Sequence, residues 1–111
     1  MNVQLFKQTL DYIKANPDKY NQHEWADYHG RYCFASTALI LAGVWDGQTE
    51  DDPSDDFMND YRDDRIKNRY NRRNLYDLFV ETLQVDTKLA NKLVYAHTPL
   101  YEIESLFNEL N

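Results

Sequence analysis

Residues 25–43 read WADYHGRYCFASTALILAG, and the second half of this stretch decides the fold. From Tyr32 to Ala42 nearly every side chain is apolar or small, which predicts a helix buried on most of its sides. Ala35, Ser36, Ala38 and Ala42 would let neighbouring elements approach closely, and Gly43 supplies the left-handed conformation that commonly ends a helix. Gly30 allows a sharp entry from the polar segment before it. Trp25 and Trp45 flank the helix and are expected in the core.

Outward from this stretch the chain is amphipathic. Val3, Phe6, Leu10 and Ile13 recur at steps of three and four, predicting a helix from Val3 to Ala15 that stops at Asn16-Pro17, because proline cannot continue the hydrogen-bond ladder. Leu75, Leu78, Phe79 and Leu83 predict a helix over residues 72–83. Asp86 caps the next, which should bury Leu89, Leu93 and Val94. Thr98-Pro99 opens a last helix with Leu100, Ile103, Leu106, Phe107 and Leu110 on one face. The fold class expected is therefore all-α: one compact domain over residues 1–111, with about five helices around a central one at residues 32–42.

Composition narrows the function classes. The 111 residues suit a single core, and three glycines with three prolines leave little room for the many turns of an all-β chain. No stretch approaches the roughly 20 apolar residues that span a bilayer, and the N-terminus lacks the pattern of a secretory leader. The expected setting is the cytoplasm, without membrane association. The single cysteine, Cys33, excludes an internal disulfide. A formal net charge of −7 argues against direct nucleic-acid binding and favours a protein partner with a basic surface.

That charge is unevenly spread. Residues 46–61 hold seven acidic side chains and no lysine or arginine, a pattern expected of a solvated loop. Residues 62–73 reverse the sign with Arg62, Arg65, Lys67, Arg69, Arg72 and Arg73. The acidic loop lacks the alternating carboxylates and central glycine of a calcium-binding EF-hand. Its sharper reading is a partner-binding surface made by Asp51, Asp52, Asp55, Asp56, Asp60 and Tyr61 that mimics phosphate charge. The basic segment could contact phosphates, but pairing with the neighbouring acidic loop is its expected role. Nine tyrosines, more than a core of this size needs, also suit a protein-binding surface, and self-association through them is a further option.

An alternative from another class is a small Cys/His-dependent enzyme or metal-binding protein using His23, His29 and Cys33. A helix start lowers a thiol pKa, and the order Gln22, Cys33, His97 is similar to that of papain-type cysteine hydrolases, although no strands are expected to carry the histidine. His23, His29 and Cys33 with Glu24 or Asp27 would make four zinc ligands, at a spacing that matches no established finger. No cofactor, metal or catalytic residue is expected on balance.

Two blocks carry a family resemblance: Gln22-x-x-Trp25 followed by Cys33-Phe34-Ala35 and a helix ending in Gly43, and Leu83-Gln84-Val85-Asp86 with Leu89-Ala90, Leu93, Thr98, Leu106 and Leu110. Together they resemble a group of small helical proteins of bacteria and tailed bacteriophages, with a Trp upstream of a Cys-x-Ala-Gly helix and a Leu-Gly-Leu turn before the last helices. This chain has Ser36 and Thr37 after Cys-x-Ala, and Gln84 within the turn. The resemblance implies an all-α fold and a phage-borne protein, and no particular chemistry.

Overall fold

The computed structural model describes residues 1–27, 29–45, 47 and 75–110. Asn2 begins the first helix, α1 (Val3–Ala15), by accepting a 3.1 Å hydrogen bond from the Leu5 backbone N–H. The buried face of α1 is Leu5, Phe6, Thr9, Leu10 and Ile13. Compared with the face expected from the spacing, it gains Leu5 and Thr9 and loses Val3. Thr9 is admitted because its hydroxyl donates to the Leu5 carbonyl one turn back, at 2.7 Å. Val3 sits at the rim, exposed. A 3₁₀ turn over Pro17–Lys19 follows, with proline at its first position.

The central helix, α2, spans Phe34–Leu41, shorter at each end than the expected 32–42. Cys33 occupies the N-cap and Ala42 the C-cap. Every side chain from Phe34 to Leu39 is buried, Ile40 is half-buried, and Leu41 is 38% exposed. The expectation of burial on most sides holds for the first six residues and fails at Leu41, where the helix emerges from the layers around it. Its end is a paired cap: the N–H of Val44 reaches the Leu39 carbonyl at 3.2 Å, and that of Gly43 reaches Ile40 at 3.0 Å. That arrangement needs a left-handed residue, and Gly43 supplies it with φ +75°. Gly47 fixes the next step, since a Cβ there would lie 3.0 Å from both Ile40 Cδ1 and the Tyr32 hydroxyl, which itself donates to the Gly47 carbonyl at 2.9 Å.

α3 (Leu75–Leu83) and α4 (Thr87–Val94) pack on α2 and on each other, and α5 (Leu100–Leu110) rests on α1. Among the described residues there is no strand, and one isolated bridge joins Tyr20 to Tyr32. The protein is thus a single all-α domain built on α2. Its aromatic centre is a chain of rings: Phe34 lies 5.0 Å from Phe6 and 6.4 Å from Phe79, and Phe6 lies 5.1 Å from Phe107. Trp25 and Trp45 are both buried in the core. The acidic and basic segments, apart from Gly47, fall outside the described residues.

The turn between α3 and α4 carries a local strain. Gln84 adopts φ +60°, where a Cβ crowds the following carbonyl. It does so because the N–H groups of Gln84 and Val85 both reach the Val80 carbonyl, closing the helix end at 2.9 and 3.3 Å. Replacing Gln84 with glycine removes the crowding, partly offset by a looser unfolded chain. Gln84→Gly should therefore raise stability by about 0.5–1 kcal/mol. The check is the urea midpoint at unchanged slope; an equal or lower midpoint would mean that this turn is not strained.

The last helix is the least embedded. Ile103 is its only fully buried side chain, Leu106 and Phe107 are half-buried, and Leu110 is 51% exposed. The apolar face expected of α5 exists, half-covered at Leu100 and lost at Leu110, where the helix leaves the core. An ion pair between Lys14 and Glu104 accompanies the contact with α1.

Candidate functional site

The segment between the 3₁₀ turn and α2 gathers most of the polar chemistry of the described residues. Gln22 is buried, and its side-chain amide makes four hydrogen bonds. Its Oε1 accepts from the Tyr20 hydroxyl at 2.8 Å and from the Phe34 N–H at 3.1 Å, while its Nε2 donates to the Leu93 and Tyr95 carbonyls at 2.9 and 3.1 Å. One amide thus caps the start of α2 and the end of α4. With an N–H on one side and two carbonyls on the other, only this orientation of the amide satisfies the network. In a papain-like arrangement this glutamine would donate to a reacting oxygen, whereas here both donor positions are taken by backbone carbonyls.

Cys33, beside this clamp, is buried, with its Sγ 3.5 Å from the Ser36 hydroxyl. Burial pushes its thiol up from the ordinary value, against the opposing pull of hydrogen bonds from Ser36 and Ala35. A helix start stabilises a thiolate, but burial in apolar surroundings destabilises it, and desolvation prevails in this position. The Tyr20 hydroxyl is likewise pushed up, by its own burial and then by the nearness of Cys33.

Asp27 organises the loop that leads into α2. Its Oδ1 accepts from the backbone N–H groups of His29 and Arg31, both at 2.8 Å, and its Oδ2 from Asn21 Nδ2 at 3.0 Å and Arg31 Nε at 2.6 Å. Partial burial pushes its carboxyl up, but the Asn21, Arg31 and His29 hydrogen bonds outweigh this and hold it well below the usual carboxylate range. Its oxygens are committed to the loop, so they are not open metal ligands. Because the folded value is depressed, the stability Asp27 supplies is complete above about pH 4 and is lost as pH falls through the folded value. Asp27→Asn should therefore be less stable than the parent at pH 7, and the gap should shrink on acidification. Thermal unfolding of both proteins between pH 7 and pH 2 measures this, and a gap independent of pH would assign the effect to shape alone.

The residues of the alternative reading scatter. His29 is exposed on the Asp27 loop and Cys33 is buried in the core. Among the described residues no three His, Cys, Asp or Glu side chains gather as a metal site. What the structure does bring together is His23 and His97, with ring centroids 5.4 Å apart, and Tyr95 with its ring 5.3 Å from His97. Sequence reasoning missed this pairing because the two histidines lie far apart in the chain, and Gln22, which joins their loops, resembled a candidate catalytic amide. Asp51, Asp52, Asp55, Asp56, Asp60 and Tyr61, the expected partner-binding residues, lie outside the described residues.

The described surface offers one further feature. Between α4 and α5 runs an open groove with Leu89, Leu106 and Leu110 along it and Lys88, Lys92 and Glu109 at its edges. Elsewhere on α5, Tyr101 is 76% exposed, and Tyr95 is 59% exposed ahead of that helix. From residue 95 to residue 111 the chain has Glu102, Glu104 and Glu109 but no lysine or arginine. No helix among the described residues is long and apolar enough to cross a membrane. Comparison with protein-family models, with curated proteins and with solved structures returned no match to this chain.

Proposed function

We propose that this protein is a non-enzymatic protein-binding module that docks an acidic, tyrosine-rich surface onto a partner with a basic face. The observation that carries the reading is the combination of a net charge of −7 with large tyrosine side chains left in solvent, Tyr95 and Tyr101, on a stretch that has no lysine or arginine of its own. Exposed tyrosine gives contact area at low entropic cost, and an acidic field steers association with a basic patch. The concrete version is a phage-borne inhibitor of a host nucleic-acid-handling or defence system. Such systems present basic grooves, and the resemblance to small phage and bacterial helical proteins supports that setting. In this reading Asp51, Asp52, Asp55, Asp56, Asp60 and Tyr61 extend the acidic surface, and the setting is the cytoplasm of the host cell.

An affinity capture from host lysate, repeated with Asp51, Asp52, Asp55 and Asp56 changed to Asn, tests this. A partner should be retained by the parent and by Cys33→Ala, released by added salt, and weakened at least tenfold by the Asn variant. Equal binding by the Asn variant without salt dependence would overturn the acidic-surface mechanism. A measurable turnover lost in Cys33→Ala would overturn the non-enzymatic reading.

A further inference from the structure

We propose that His23 and His97 form a two-histidine site for a zinc-class divalent ion. The two imidazoles come from loops 74 positions apart in the chain, yet their ring centroids lie 5.4 Å apart at an interplanar angle of 76°. Their approach is built in. Gln22, next to His23, holds the carbonyls of Leu93 and Tyr95, so both loops are pinned at the same point. The Tyr95 ring then packs edge-on against His97 at 5.3 Å. Pre-organised backbones of this kind spare a metal most of the ordering cost of bringing two side chains together.

Size and chemistry agree with the ion class. With a zinc–nitrogen bond of about 2.0–2.1 Å, a metal lies about 3.2 Å from the centroid of a ring that ligates it head-on. Two such rings with centroids 5.4 Å apart subtend about 115° at the metal, close to the tetrahedral angle of zinc. Both side chains are exposed, so the rings are able to turn a nitrogen to the common point and solvent reaches it. Imidazole suits zinc, nickel and copper rather than calcium or magnesium, which seek oxygen. The negative charge of the protein raises the local cation concentration. Two protein ligands leave two positions for water or for donor atoms of whatever binds this face.

Equilibrium titration of the full chain with Zn²⁺, using His23→Ala, His97→Ala and His29→Ala, is the test. The parent should bind one ion at this site. Either His23→Ala or His97→Ala should weaken binding at least tenfold, and the double variant should lose less than the product of the two single losses, because the two ligands of one ion are coupled. His29→Ala, which removes an exposed histidine outside the pair, should leave the affinity unchanged. Co²⁺ in place of Zn²⁺ should give the visible absorption of tetrahedral coordination in the parent and in His29→Ala, and in neither His23→Ala nor His97→Ala. Parent-like affinity in either single variant, or an equal loss in His29→Ala, overturns the site. Matching circular dichroism spectra of all variants would exclude misfolding as the cause.

Discussion

Gln22→Ala should destabilise the protein by about 3 kcal/mol, because it strands the buried Phe34 N–H and the Leu93 carbonyl together, while the Tyr95 carbonyl keeps the Thr98 N–H. The Phe34 N–H and the Leu93 and Tyr95 carbonyls all lose the same partner, along with the Tyr20 hydroxyl. Water reaching the exposed side of Tyr95 would recover only part of that loss. Gln22→Glu is the sharper probe. At neutral pH it sets a carboxylate against two carbonyl oxygens, which raises the pKa of the new acid above its unfolded value. Its deficit should be largest at neutral pH, should narrow as pH falls through that raised pKa, and should be smallest below about pH 4, where a protonated carboxyl again donates to a carbonyl. Urea unfolding of the three proteins at pH 7 and pH 4 reads both effects. A Gln22→Ala loss under about 1 kcal/mol, of the size expected for one exposed hydrogen bond, would show that the clamp carries no weight.

Phe34→Ala should cost about 3–5 kcal/mol, the usual range for deleting a core phenylalanine. Phe34 has no solvent exposure and its ring is packed between Phe6 and Phe79, from α1 and α3. The cavity would open where three helices meet, and little around it is free to collapse. Against a total stability of roughly 5–15 kcal/mol for a domain of this kind, such a loss approaches global unfolding at 37 °C. Phe34→Leu should cost far less, since it leaves most of the volume filled. By contrast, Leu41→Ala on the same helix should change stability by no more than about 0.5 kcal/mol, as expected of a surface position. Equal losses at Phe34 and Leu41 would contradict the burial pattern of α2.

What the sequence disclosed, and what it withheld, divides along the range of the interactions. Asp86, which accepts from the Leu89 N–H at 2.8 Å, and Gly43, which closes α2, act within a few residues, so their types and positions announced them. The five α-helices of the described residues, the central one among them, were legible for the same reason. The exposure of Leu41 and Leu110 was not, because periodicity tells which face is apolar and is silent on whether another element covers it. The Gln22 clamp reaches carbonyls 71 and 73 residues away, and the His23–His97 pair depends on that clamp. Neither leaves a local signature. Asp27 illustrates the converse error: a carboxylate among histidines suggested a ligand, whereas the loop itself consumes its oxygens.

The shallow seat of α5 has a consequence for how the native protein opens. Opening free energies within one domain range from near zero to the global value, and they follow the apolar contact an element would have to break. α5 would break one fully buried contact at Ile103 and partial ones at Leu100, Leu106 and Phe107, whereas α2 would break six consecutive buried positions. Amide hydrogen exchange should therefore run fastest along α5 and slowest along α2, with α5 detaching as a unit before the rest unfolds. Detachment uncovers the Phe6 ring from the Phe107 side. A partner that grips Tyr101 and its acidic neighbours would raise the opening free energy of this helix first. Slowed exchange confined to α5 would then be the earliest sign of the complex.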